Sequence, residues 1–272
     1  MNVLILAGGF GERLEKGLET YVGPYQSQLK EWIQGKPKAL VPLKIGNEFK
    51  PLLAYQMDQF QRAEIPLNHI YIQSNGKYFD QFSAFAKQHG IPESNVMNNG
   101  VMDKEERLSP LGDLRAALNH IEYNHDLLVV ASDTLILNKD GTIDDNLIRR
   151  FLENQKRDDG IRMVVYEGEE SRLRKHGLVE VEGDKVIGFQ EKPESHESIR
   201  SNLINASIHY YPKELLPKIT EIYDHRRFDE SVNVIGLVYK EFPTIVERVE
   251  RRLDVGTVED VLSMNALEVG IQ

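Results

Sequence analysis

The chain has 272 residues, with 33 Lys and Arg against 43 Asp and Glu, a formal net charge of −10 and no cysteine. That acidity argues against a nucleic-acid backbone as the main partner, because such binding rests on clustered cations. The missing thiols exclude disulfides, thiolate nucleophiles and Cys-ligated zinc. The length suits one continuous α/β domain over residues 1–272. No apolar run approaches the roughly 20 residues of a membrane helix. Met1–Ala7 is too short for a signal segment. A cytoplasmic protein without a membrane partner is expected, and a homo-oligomer is compatible with the sequence.

In chain order, Asn2–Ala7 reads as a short buried strand ending in glycines. Pro51–Arg62 reads as a helix from the spacing of Leu53, Met57 and Phe60. His69–Gln73 reads as a strand, and Tyr78, Phe82 and Phe85 mark a helix ending near Gly90. Leu111, Leu114, Leu118 and Ile121 mark another helix, and Asp126–Ala131 has the pattern of a central parallel strand. From Gly160 the texture changes. Met163–Tyr166, Leu178–Val181, Lys185–Phe189 and Ala206–Tyr211 read as close-spaced strands, with Gly183-Asp184 as a hairpin turn. The expected fold is α/β: a Rossmann-like, mostly parallel mixed sheet with helices on both faces and antiparallel strands added in the C-terminal half.

The first chemical signal is Gly8-Gly9-Phe10-Gly11-Glu12-Arg13 directly after the opening strand. Ligands of open α/β sheets bind at the carboxyl ends of strands. Glycines there let backbone N–H groups approach phosphates, and Arg13 supplies a planar cationic fork. The bland alternative for the glycines alone is a tight turn. The second signal is Gly35-Lys36-Pro37-Lys38-Ala39-Leu40-Val41-Pro42, whose prolines would hold Lys38 on stiff backbone. The third is Asp133, which follows the apolar strand in Ser132-Asp133-Thr134; its alternative is a helix cap. The fourth is Asp254 in Leu253-Asp254-Val255-Gly256-Thr257, where Thr257 and Asp260 also suit a helix cap. The fifth is Phe189-Gln190-Glu191-Lys192-Pro193 together with Asn205-Ala206-Ser207-Ile208-His209. Standing alone, Glu191-Lys192 would read as a solvated pair.

In this order the motifs resemble the sugar nucleotidyltransferases, the nucleoside-diphosphate-sugar pyrophosphorylases, over nearly the whole chain from Asn2 to about Leu262. The resemblance implies a glycosyltransferase-A-like sheet with a nucleotide-binding half (1–135) and an acceptor-binding half (136–272). It implies Arg13 and Lys38 as catalytic residues, and Ala7, Gly8, Gly9, Gly11, Gln73, Gly112 and Asp113 at the nucleotide. It implies Gly177, Glu191, Lys192 and Asn205 at the acceptor, and Asp133 and Asp254 as ligands of Mg²⁺. The substrates would be a nucleoside triphosphate and a sugar 1-phosphate.

The chain departs from the family in two places. The stretch from Leu14 to Gly35 is long, and Tyr25, Leu29, Trp32 and Ile33 form an apolar face in it at helical spacing. A satellite cluster under a long loop is expected there, ahead of a small helix over the nucleotide entrance. At Leu111-Gly112-Asp113 many members have threonine in place of Asp113, which leaves the base open. The polar stretch Asn98–Leu108 reads as a recognition loop or a solvated surface, and the eight histidines as structural or surface residues. The alternatives are a cytidylyltransferase acting on a non-sugar phosphomonoester and a non-catalytic subunit that binds a nucleotide sugar. A glycosyltransferase would show Asp-x-Asp where this chain has Ser132-Asp133-Thr134.

Overall fold

The computed structural model describes residues 1–154, 160–225 and 234–265. Its strands are β1 (Asn2–Ala7), β2 (Pro42–Ile45), β3 (Glu48–Pro51), β4 (Ile70–Ser74), β5 (Val96–Asn98), β6 (Leu127–Ala131), β7 (Thr134–Leu137), β8 (Ile161–Glu167), β9 (Gly177–Glu182), β10 (Lys185–Glu191), β11 (Leu203–Tyr211), β12 (Thr244–Arg248) and β13 (Arg251–Asp254). Its helices are α1 (Glu12–Thr20), α2 (Gln26–Ile33), α3 (Leu52–Arg62), α4 (Phe79–Gln88), α5 (Pro110–Leu118), α6 (Leu147–Asn154), α7 (Glu170–Leu173), α8 (Leu216–His225), α9 (Val234–Val238) and α10 (Val258–Met264).

Nine strands form the main sheet in the order β5-β4-β1-β6-β11-β8-β12-β10-β9. β1 is an interior strand and pairs in parallel with β4 and β6. Its residues are apolar on both faces, as a strand covered from both sides requires. Within this sheet β10 and β11 run against the others. A further pairing of β11 with β9, Ile204 opposite Leu178, curls the far end of the sheet back on itself. Alternation along the strands sorts the core into two layers. Val3, Ile5, Ile70 and Ile72 face α3 and α4, while Leu4 and Tyr71 face α5 and α8.

A third core lies away from the main sheet. Leu14, Leu18, Leu29, Trp32 and Ile33 of α1 and α2 pack with Leu135, Leu137, Leu253, Val255 and Val258. The long segment after Leu14 is therefore two helices and not a loop over a satellite cluster. It buttresses the β7–β13 ribbon, in which Leu135 pairs with Leu253 and Thr134 with Asp254. Of the four apolar residues read from the sequence, Tyr25 alone stays out of that core; it sits exposed at the start of α2, at φ 64°.

β11 carries a bulge. Asn205 and His209 are four apart, yet their partners Val165 and Met163 on β8 are two apart. Ser207, inside the bulge, has φ 61°, a left-handed conformation that costs an L-residue roughly 1 kcal/mol. Ser207→Gly is expected to raise stability by up to about 1 kcal/mol, read as a higher urea midpoint at unchanged slope. A lower midpoint would mean that the serine side chain holds the bulge.

Candidate functional site

The loop after β1 and the turn after β6 lie on the same sheet edge, tied by a Ser132 N–H bond to the Leu6 carbonyl at 3.0 Å. Gly11 has φ 68° and caps α1, a conformation that favours glycine. Two residues that sequence reasoning missed fix this loop. Asn75 Nδ2 donates to the Gly8 carbonyl at 3.0 Å, and the Tyr78 hydroxyl donates to the Phe10 carbonyl at 3.1 Å.

Lys38 sits in a short 3₁₀ turn bracketed by Pro37 and Pro42. Its stem lies beside Gly11, with Cγ 3.5 Å from where a Cβ on Gly11 would stand. Its Nζ donates to Asp133 Oδ2 at 2.7 Å. Asp133 is in the two-residue turn between β6 and β7, held from below by Gln56, whose Nε2 donates to the Ala131 and Thr134 carbonyls at 2.9 and 2.6 Å. A second cation, absent from the sequence reading, completes the cluster. Arg252 is 7% exposed, donates from Nε to Thr134 Oγ1 at 3.1 Å and places Nη2 3.8 Å from Asp133 Oδ1. Burial opposes ionisation of Asp133, but Lys38 and Arg252 outweigh it and hold the carboxyl down at about 2.

The late segment joins the same place. The backbone of Asp254 pairs with Thr134, next to Asp133; its side chain lies outside the described set. Thr257 and Asp260 form a capping box at the start of α10, so the expected cap is present. Arg13 Nη2 reaches to 3.7 Å from where a Cβ on Gly256 would stand. One edge thus gathers Gly11, Arg13, Lys38, Asp133, Arg252 and the Asp254 backbone.

At the other end of the loop, Asp113 in the first turn of α5 stands over Gly8, where any Cβ would overlap its Oδ2. Ser109 caps this helix by accepting from the Gly112 N–H at 3.2 Å. Asn99 Nδ2 donates to Asp113 Oδ1 at 2.7 Å. Burial pushes the Asp113 carboxyl up to about 6, with the Asn99 amide pulling the other way. Space is open above Gly9, which is exposed, with no atom near a Cβ position. Gln73 is fully buried beside Ala7's neighbour Leu6 on β1. In the polar stretch 98–108, Lys104, Glu105 and Glu106 are exposed, and Arg107 Nη1 donates to Glu12 Oε1 at 3.1 Å.

A carboxyl raised in the fold binds its proton more tightly there than in the unfolded chain. Its stabilising share is therefore present below about pH 4 and lost as pH rises through about 6. Asp113→Asn is expected to stabilise the ligand-free protein by about 1–3 kcal/mol at pH 7.5 and by little at pH 4. Urea unfolding at the two pH values checks this, and an equal gain at both would refute it.

The remaining predicted residues meet where the sheet curls. Gly177 pairs with Glu191 across β9 and β10, and a Cβ on Gly177 would press on the Phe189 ring and stand 3.1 Å from Glu191 Oε2. Lys192 follows in a left-handed conformation, φ 40°, its N–H bonded to the His176 carbonyl at 3.2 Å. Asn205 is next to Ile204, the residue that pairs with Leu178 of β9. The Asn205 Oδ1 accepts from the Ser207 N–H at 2.9 Å and meets His209 Nε2 at 3.0 Å. His209 Nδ1 faces the Tyr211 hydroxyl at 3.3 Å. Burial lowers His209 to about 4, so the ring is neutral. Protonation at Nε2 satisfies both contacts, with Tyr211 donating to Nδ1. This fixes the Asn205 amide with Nδ2 buried and without a partner. His209 is thus structural, as expected of the histidines, but it also orients a candidate ligand group.

No helix among the described residues is long and apolar enough to cross a membrane. The family model described as nucleotidyl transferase matches residues 34–269. A "Putative mannose-1-phosphate guanyltransferase" of Sulfolobus acidocaldarius is 26% identical over 221 residues, 81% of this chain. The chain spans about half the length of that curated relative, 55%. A solved "Putative Glucose-1-Phosphate Thymidylyltransferase" from Bacillus anthracis superposes with TM-score 0.67 at 17% identity, covering 100% of this chain and 96% of its own. The inositol-1-phosphate CTP transferase from T. maritima does so with TM-score 0.66 at 14% identity, covering 98% and 95%. A UDP-glucose pyrophosphorylase complexed with UDP-glucose gives 0.64 at 17% identity, covering 98% and 97%. These structural likenesses establish a shared glycosyltransferase-A-like fold.

Proposed function

The chain belongs to the nucleotidyl transferase family, and from that premise we propose that it joins a nucleoside triphosphate to a sugar 1-phosphate and releases pyrophosphate. The observation that carries this reading is the placement of Lys38 beside Gly11 and its hydrogen bond to Asp133, which puts the glycine loop, a cation and a strand-end carboxylate in one place. Residues 1–135 hold the nucleotide and 136–272 the acceptor, within one domain.

An oxygen of the acceptor phosphate forms a bond to the α-phosphorus. The bond from that phosphorus to the bridging oxygen of the β-phosphate breaks, and its electron pair leaves with pyrophosphate. A phosphate monoester is largely ionised at neutral pH, so the attack needs no general base. Ala7, Gly8, Gly9 and Gly11 line the nucleotide with backbone, and Gln73, Gly112 and Asp113 lie at the base. Arg13 and Lys38 offset charge on the leaving group. Glu191, Gly177 and the unpartnered Nδ2 of Asn205 face the sugar hydroxyls, and Lys192 lies near the acceptor phosphate. Mg²⁺ prefers hard oxygen donors and takes one or two carboxylates beside phosphate oxygens. Asp133, held ionised, fits that demand, and Asp254 would supply the second carboxylate. The ion supplies neutralisation of charge on the phosphates when bound.

Pyrophosphate release over a matrix of nucleoside triphosphates and phosphomonoesters tests the reading. GTP with mannose 1-phosphate is the first pair, after the name of the archaeal relative. Release with a sugar 1-phosphate is the expected result. Release from non-sugar phosphates alone would replace it with a cytidylyltransferase-like reading. Silence across all pairs, with nucleotide sugars still bound, would leave a non-catalytic binding subunit.

A further inference from the structure

We propose that the base pocket selects guanine, and that Asp113 is the residue that reads it. The inference rests on the nucleotidyltransferase reading for the identity of the ligand and goes beyond it in naming the base.

Two buried acceptors point to it independently. The first is the Asp113 carboxylate, 5% exposed. Its Oδ2 lies against the Cα side of Gly8, and Oδ1 takes one amide hydrogen from Asn99. Its carboxylate has no cation partner among the described residues. The second is Gln73 Oε1, buried and without a hydrogen-bond partner. Its Nε2 donates to the Ser74 carbonyl at 3.2 Å, which fixes which end of the amide is the acceptor. Along β4, Ile70 and Ile72 face one layer and Tyr71 the other, with α5. Alternation puts Gln73 on the α5 side as well. Both acceptors therefore lie buried between the carboxyl ends of β1 and β4 and the first turn of α5.

A pocket edge made of acceptors calls for a base edge made of donors. Guanine offers two adjacent donors, N1–H and the 2-amino group, spaced like the two oxygens of a carboxylate. Adenine and cytosine each offer an amino group beside a bare ring nitrogen, which would face the anion. Uracil and thymine offer one N–H between two carbonyls, a worse match. Sites with buried polar groups reject analogues that leave those groups unpaired.

The test compares wild type with Asp113→Asn, nearly isosteric, and with Asp113→Thr, on GTP, ITP, ATP, CTP and UTP at saturating acceptor. ITP lacks only the 2-amino group. Wild type should prefer GTP over ITP by about 10–100-fold in kcat/KM, and both variants should reduce that ratio to within about threefold. The binding of GDP, IDP and ADP by calorimetry reads the same preference without turnover, and melting curves confirm that each variant folds. Turnover that favours a pyrimidine triphosphate, or a GTP preference unchanged in Asp113→Asn, would overturn the inference and leave the nucleotidyltransferase reading standing. Absence of turnover with every pair would remove that reading. In that case a GDP over IDP preference lost in Asp113→Asn upholds the base assignment, and equal affinity for all three diphosphates ends it.

Discussion

Lys38→Ala is expected to lower kcat by about 10²–10³-fold, with a much smaller change in the KM for the triphosphate. The physical reason is placement. Lys38 is pinned between two prolines, its stem lies beside Gly11 and its ammonium is part-buried against Asp133. A charge held this way does not reorganise when negative charge develops on the leaving pyrophosphate, and that is when it acts most strongly. Ground-state binding falls less, because Arg13 and the loop backbone remain. Stability should fall as well, because Lys38 is the larger of the two cations that hold Asp133 ionised and Arg252, at 3.8 Å, compensates that carboxylate only in part. Single-turnover rates and urea unfolding on the same sample separate the two claims. Activity within about fivefold of wild type would remove Lys38 from the charge-stabilising role.

Parts of this arrangement were readable from the sequence because they are local. The apolar run of β6 followed by Asp133, the glycine loop after β1 and the Pro-Lys segment each declare themselves within about ten residues. The groups that hold them in place do not. Arg252 reaches Thr134 across 118 positions, and Gln56 reaches Ala131 across 75. Asn75 reaches Gly8 across 67. Each is one polar residue in an unremarkable string, and its role exists only once the chain has folded. Helix α1 was missed for a different reason. Only Leu14 and Leu18 of its nine residues are buried, and Gly17 interrupts them, so periodicity is faint. α2 showed its apolar face but not its destination. That face packs on β7 and β13, which are four residues each and too short to announce themselves. His209 read as an incidental histidine because its partner Asn205 meets it only across the bulge.

Asp113 and Asp133 show opposite uses of a carboxylate on one sheet edge. At Asp113, burial with no cation partner among the described residues leaves the ligand-free fold carrying a cost that a donor-rich ligand would relieve. At Asp133, burial with two cations makes the charge stabilising. The two should therefore respond to pH, and to removal, with opposite signs.

Asp133→Ala should accordingly lose on both counts. Turnover is expected to fall by about 10³-fold or more, because the strand-end carboxylate proposed to hold the metal is gone. Stability is expected to fall as well. The folded carboxyl is held at about 2 against an ordinary 3.8, so its contribution is fully present above about pH 4 and is lost as pH falls toward 2. A shift of that size corresponds to about 2 kcal/mol at neutral pH. Its side chain is 28% exposed, which leaves room for solvent screening, so the measured loss should be no larger. Removal also takes away a carboxylate that lies against both Lys38 and the buried Arg252. The difference in stability between wild type and Asp133→Ala, followed by urea unfolding from pH 7 downward, should be constant to about pH 4 and close toward pH 2. A difference that is independent of pH would mean that the turn geometry, and not the charge, is what Asp133 contributes to the fold. Turnover unaffected by the substitution would mean that the cluster of Asp133, Lys38 and Arg252 is a structural ion triad, with the metal held elsewhere.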